Sequence, residues 1–163
     1  MKNNSSIILG IDPGFAITGY GVIQKEKNGD FRMICNGIIA TAAKQIFSER
    51  LKEIHQQLDK IIKKFKPNKI AVEELFFCKN VKTALSVGHA RGVIILTASQ
   101  NSLPIFEYTP LQIKQAVASY GRADKKQVQS MVKMLLNLKT VPKPDDAADA
   151  LAVAICCGNS TGD

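Results

Sequence analysis

At 163 residues, 45% apolar and 22% charged, the chain has the size and composition of one globular domain with a sizeable core, which excludes fibrous and natively disordered classes. No apolar run approaches the roughly 18 residues that a membrane span needs, so no membrane partner is expected. The 22 Lys and Arg against 14 Asp and Glu give a formal charge of +8, which favours a polyanionic partner over a merely solubilising charge.

The lead-in Met1-Lys2-Asn3-Asn4-Ser5-Ser6 is polar and lacks the apolar core of a signal peptide. Residues 1–6 are expected to be disordered, ahead of a single domain that takes up the rest of the chain and works in the cytoplasm. Cys35, Cys78, Cys156 and Cys157 show no C-x-x-C spacing, and neither His55 nor His89 has a close Cys or His partner. The pattern argues against a structural zinc site and fits free thiols in a reducing compartment.

Ile7, Ile8, Leu9 and Ile11 form an apolar run without alternation, the pattern of a strand buried on both faces, and Asp12 ends it before a Pro13-Gly14 turn. A carboxylate there must be paired, hydrogen-bonded or metal-bound. By itself the stretch leaves open whether Asp12 satisfies turn N–H groups or acts as a ligand. Gly19–Ile23 resumes an extended pattern, and Phe31–Ala40 forms a third strand after Asn28-Gly29-Asp30, giving an antiparallel meander.

Ser48 is expected to cap a long helix whose stripe is Leu51, Ile54, Leu58, Ile61, Ile62 and Phe65, stopped at Pro67. His55 reads as a helix-surface residue rather than a ligand. Lys69–Phe77 repeats the design of the first strand, an apolar run leading into Glu73 and Glu74. Adjacent strand residues face opposite ways, so only one of these acids points into a shared site, and Glu73 is the choice. Val81–Asn101 forms a helix with small residues at Ala84, Gly88, Ala90 and Gly92; this flank either packs on the sheet or forms a dimer seam.

Pro104–Tyr108 alternates as a fifth strand. Thr109-Pro110-Leu111-Gln112 carries a helix start with a capping box, and Asp124-Lys125-Lys126-Gln127 repeats that logic. Asp145 is expected to cap a final Ala-rich helix from Asp146 to Cys157, with Asp146 and Asp149 on one face. The element order implies an α/β fold, a mixed five-stranded sheet with helices on both faces.

Sites in such sheets form at the carboxyl ends of central strands. A terminal helix crossing that edge brings Asp146 and Asp149 to Asp12 and Glu73. Four carboxylates in one pocket repel and protonate unless cations hold them, and all-oxygen ligands suit Mg²⁺ or Mn²⁺. Two such ions can activate a water and stabilise the leaving oxygen of a phosphodiester.

Taken in order, Gly10-Ile11-Asp12-Pro13-Gly14 with Thr18-Gly19-Tyr20-Gly21, then Ala71-Val72-Glu73, Gly88-His89-Ala90-Arg91-Gly92 and Asp145-Asp146-Ala147-Ala148-Asp149-Ala150-Leu151-Ala152 resemble the RuvC family of bacterial Holliday-junction resolvases, within the ribonuclease-H-like superfamily. The likeness runs from about Ile7 to Cys156. It implies a ribonuclease-H-like sheet and a homodimer that cuts two opposed strands of a four-way DNA junction symmetrically, leaving 5′-phosphate and 3′-hydroxyl ends. It further implies a short thymine-containing cleavage site, RuvA and RuvB as partners, and two Mg²⁺ ions on Asp12, Glu73, Asp146 and Asp149. By the same resemblance Lys114 and Lys125 approach the scissile phosphate and Phe76 presses against bases, although Phe77 offers an equal aromatic. Lys79, Lys82, Arg91, Arg122 and Lys126 are candidate phosphate contacts without base specificity. Glu74 adds an acid beside the expected catalytic one.

Two other classes remain in view. A non-cleaving junction binder would keep the fold and the basic face, but retention of all four acids argues against it. A phosphotransferase of the actin and hexokinase type would use Asp12-Pro13-Gly14 as a phosphate turn, but it needs a duplicated domain.

Overall fold

The computed structural model describes residues 5–75 and 81–160. Its sheet has the order β3-β2-β1-β4-β5, with β1 (Ser6–Asp12), β2 (Ile17–Lys25) and β3 (Phe31–Ala40) antiparallel and β4 (Lys69–Glu73) and β5 (Ile105–Tyr108) running parallel to β1. The expected meander and two crossovers are therefore present. Ser6, placed by its polarity in a disordered lead-in, instead pairs with Lys25 as the first residue of β1.

Alternation along the central strands divides the core in two. Ile8 and Ala71 face one layer, which α3 (Pro110–Ala118), α4 (Lys125–Leu135) and α5 (Asp145–Ser160) cover. Leu9, Ile11, Ile70 and Val72 face the other, covered by α1 (Phe47–Phe65) and α2 (Val81–Gln100). Helices thus flank both faces. The α1 stripe buries Ile54, Leu58 and Ile62, and the helix ends where Lys66 takes a left-handed conformation. His55 lies beside that stripe, within 2.8 Å of the Thr97 hydroxyl on α2. Thr97 donates its own proton to the Val93 carbonyl, so the His55 ring N–H is the donor.

Two helix starts differ from expectation. Ile46 is the N-cap of α1, with no side-chain hydrogen bond, and Ser48 falls inside the first turn. Asp145 is the first residue of α5 rather than its cap; the carbonyl of Pro144 accepts from Ala147 N–H at 3.0 Å. The capping boxes at Thr109/Gln112 and Asp124/Gln127 form as expected. Among the described residues Cys35, Cys156 and Cys157 are in no disulfide. Among the described residues no helix is long and apolar enough to cross a membrane.

The seat of α5 decides where the site lies. A Cβ on Gly10, Gly19 or Gly21 would run into α5: into the Ala150 carbonyl and Ala154, the Asp146 carbonyl, and Leu151 respectively. Bare backbone on the sheet, met by the alanines of α5, lets the helix lie directly on β1 and β2. Its first turn comes down on Gly19, the residue that pairs with Asp12.

Candidate active site

Period-two alternation aims the first two acids. On β1 the residues facing α5 are Ile8, Gly10 and then Asp12; on β4 they are Ala71 and then Glu73. Gly10 pairs with Ala71 and Ile11 with Val72, so one further step sets Asp12 beside Glu73 on that same face. Rigid neighbouring strands therefore place both carboxylates with no loop involved. Glu74 lies past the end of β4, half-buried, with its N–H donated to the Tyr108 carbonyl, and it is not part of the pocket wall.

The acids open into a pocket of about 230 Å³. Asp12, Glu73, Asp149, Lys114 of α3 and Lys125 of α4 line it, against apolar walls that include Ile113, Val128 and Val153. Asp146 stands outside this lining, yet its charge still acts on Asp12. Burial, reinforced by the charges of Glu73, Asp149 and Asp146, pushes the Asp12 carboxyl up to about 8. Asp12 and Glu73 share a hydrogen bond, which two carboxyls form only when one keeps a proton. Burial raises Glu73 too, while the bond from Asp12 and the charges of Lys114 and Lys125 pull it back. Burial thus raises both carboxyls, and the pair favours holding one proton between them.

Lys125 neutralises the other half of the cluster. Its Nζ lies 2.9 Å from Asp149 and 3.8 Å from Asp145, and the bond to Asp149 raises its own pKa. Asp149 is nonetheless raised, because burial outweighs the lysine. Asp145, read from sequence as a cap, is held low by a 2.8 Å bond from Lys143 and is a second partner for Lys125. Its place beside Lys125 depends on how α4 meets α5, which no spacing in the sequence reports.

These groups suit a hard divalent cation in chemistry, since the donors are carboxylate oxygens facing one half-buried pocket. Among the described residues no three acid, His or Cys side chains are gathered closely enough to enclose an ion. The same oxygens are instead turned to the shared proton and to Lys125.

The basic residues part company. Arg122 and Lys126 are exposed at the N-terminal end of α4, beside Lys125. Arg91, expected at phosphate, is turned instead to Glu107 of β5, its side chain only 20% exposed. The α2–β5 contact claims its charge, so it is not a free phosphate contact. Phe76, Phe77 and Lys79 lie outside the described residues, as does the side chain of Lys82. On α2 a Cβ on Gly92 would meet nothing within 4 Å, whereas Ala90 is fully buried in the layer beneath the sheet, so the small residues divide between packing and an open side.

The chain is similar to known proteins along nearly its whole length. The family model described as "Crossover junction endodeoxyribonuclease RuvC" matches residues 8–157. A protein of that name from Ruminiclostridium cellulolyticum is 60% identical over 154 residues, 94% of this chain and 92% of its own. Another, from Alkaliphilus oremlandii, is 61% identical over 150 residues, 92% of this chain and 91% of its own. Among solved structures, T. thermophilus RuvC in complex with a Holliday junction substrate superposes with a TM-score of 0.90 at 34% identity, covering 94% of this chain and 93% of that one.

Proposed function

The chain belongs to the RuvC family and is a crossover junction endodeoxyribonuclease, and from that premise we propose that Asp12, Glu73, Asp146 and Asp149 are its catalytic acids. The carrying observation is the convergence of two strand-end carboxylates with Asp149 of α5 on one pocket. The four acids would hold Mg²⁺, with Mn²⁺ as a substitute, two ions to a site. When bound, such ions supply Lewis-acid stabilisation of phosphate oxygens and a more acidic water.

The protein's own residues do the rest. Strands β1 and β4 fix Asp12 and Glu73, and the N-terminal end of α5 carries Asp146 and Asp149. Lys114 and Lys125 reach into the pocket with cationic heads. They stabilise the charge that accumulates on the phosphate during in-line hydrolysis, giving 5′-phosphate and 3′-hydroxyl ends. Lys125, now 2.9 Å from Asp149, would face the phosphate wherever a bound cation took Asp149 as a ligand. Arg122 and Lys126 extend the same positive rim along the DNA backbone. Phe76 stacks on junction bases.

The substrate is a four-way DNA junction, cut in two opposed strands by a homodimer. An open apolar groove along α2, with Leu85 60% and Leu96 56% exposed, supports α2 as the seam between protomers. RuvA and RuvB are the partners this reading implies, in the cytoplasm. Incubation with a synthetic four-way junction and with linear duplex of the same sequence, in Mg²⁺ and in EDTA, tests the proposal. Paired nicks confined to the junction and abolished by EDTA are expected. Equal cutting of linear duplex, or cutting in EDTA, would contradict it.

A further inference from the structure

We propose that Arg50 of α1 is a positioning residue for Asp12, acting through the turn that carries the chain from β1 to β2. The proposal rests on the reading of Asp12 as a catalytic acid. That turn, residues 13–16, buries little of its own: Pro13, Gly14 and Phe15 are half-buried, while Ala16 and the following Ile17 are exposed. Side chains from three other places tie it down. Thr18, fully buried, donates its hydroxyl to the Gly14 carbonyl at 2.6 Å and accepts Gly14 N–H at 3.5 Å. Thr41, beyond the end of β3, donates its hydroxyl to the Phe15 carbonyl at 2.8 Å and its N–H to the Ala16 carbonyl at 2.9 Å.

Arg50 locks this arrangement from α1. Its Nε–H donates to the Thr41 hydroxyl at 2.9 Å and its Nη2 to the Phe15 carbonyl at 3.4 Å. The guanidinium carbon also lies 3.9 Å from the Phe15 ring centroid, and Phe47 stacks against Phe15 at 4.9 Å. Because the Thr41 oxygen accepts from Arg50, its proton has one place to go, the Phe15 carbonyl. One planar fork thus fixes the hydroxyl, the carbonyl and the ring together. Both acceptors are neutral oxygens of the turn and its brace, so the cation is spent on holding backbone. Pairing with Gly19 anchors Asp12 on the β1 side; the brace anchors the chain on the side by which it leaves. A lysine at position 50 keeps a cation over the ring but loses the fork.

Arg50→Ala, Arg50→Lys and Thr41→Val in the full chain test this. The readouts are amide exchange at Gly14 and Thr41 without added metal, Mn²⁺ affinity by calorimetry, and kcat and KM on a synthetic junction. Arg50→Ala should speed exchange at both amides, weaken Mn²⁺ by about tenfold, as loss of outer-shell support does, and lower kcat at unchanged KM. Arg50→Lys should fall between Arg50→Ala and wild type. Thr41→Val, nearly isosteric, should repeat the Arg50→Ala result and serves if that variant fails to fold. Faster exchange with wild-type Mn²⁺ affinity and kcat would overturn the proposal, because the brace would then be structural only. Wild-type behaviour of Arg50→Ala beside an inactive Asp12→Asn would overturn it too and leave the site reading standing. Wild-type Mn²⁺ affinity in Asp12→Asn would overturn both.

Discussion

The Asp12–Glu73 pair favours a proton that a metal ion has to displace. The Asp12 carboxyl is pushed up to about 8 by burial and by Glu73, Asp149 and Asp146, so at neutral pH the cation competes with the proton held between Asp12 and Glu73. Metal affinity should therefore rise with pH by up to about tenfold per unit below 8 and level off above it, measured by Mn²⁺ calorimetry. The linkage to folding has the opposite sign. A carboxyl raised in the folded state keeps a proton that the unfolded chain releases above about 4, so the stability it contributes is full below that pH and is lost as pH rises through 8. Urea midpoints in EDTA should fall across that window, and Mg²⁺ should reverse the fall. A flat midpoint with flat affinity would mean that Asp12 is ionised throughout.

Helix α5 turns separate acids into one site, and glycines decide how closely it lies on the sheet. Gly19→Ala would drive a methyl into the Asp146 carbonyl, displacing the first turn of α5 and with it Asp146 and Asp149. A stability loss of about 1–3 kcal/mol is expected from such overpacking, read from urea denaturation, with cleavage lost further than the folded fraction explains. The strands, the α1 stripe and both capping boxes were legible in the sequence because apolar period and cap chemistry are local. Alternation allowed only one of Glu73 and Glu74 to enter a shared site, and the register of β4 against β1 is what turns Glu73 to the pocket. The Ser48 cap failed because Ile46 starts α1 with backbone geometry and no side-chain bond, leaving no residue type to read. The pairing of Arg91 with Glu107 was not legible because the two lie on different elements. Convergence of the acids needed the glycine rows of β1 and β2, a signal present in the sequence whose meaning appears only once α5 is laid across them.

On the scale of the whole molecule, a +8 domain with one acidic pocket and an open apolar helix groove has two kinds of surface to satisfy. The positive charge suits DNA, and the α2 groove suits a second copy. Leu96→Asp should leave the fold intact, since Leu96 is 56% exposed, and should shift the protein to monomer by sedimentation, with opposed nicks no longer coordinated. An undisturbed dimer would place the seam elsewhere. On the proposed reading, cutting resides in the strand-end acids while junction affinity resides in the basic rim. Single-turnover cleavage and junction binding of Asp12→Asn, measured on one preparation, test it most directly. Cleavage should fall on the order of 10³-fold or more with binding close to wild type. Cleavage near the wild-type rate would contradict it.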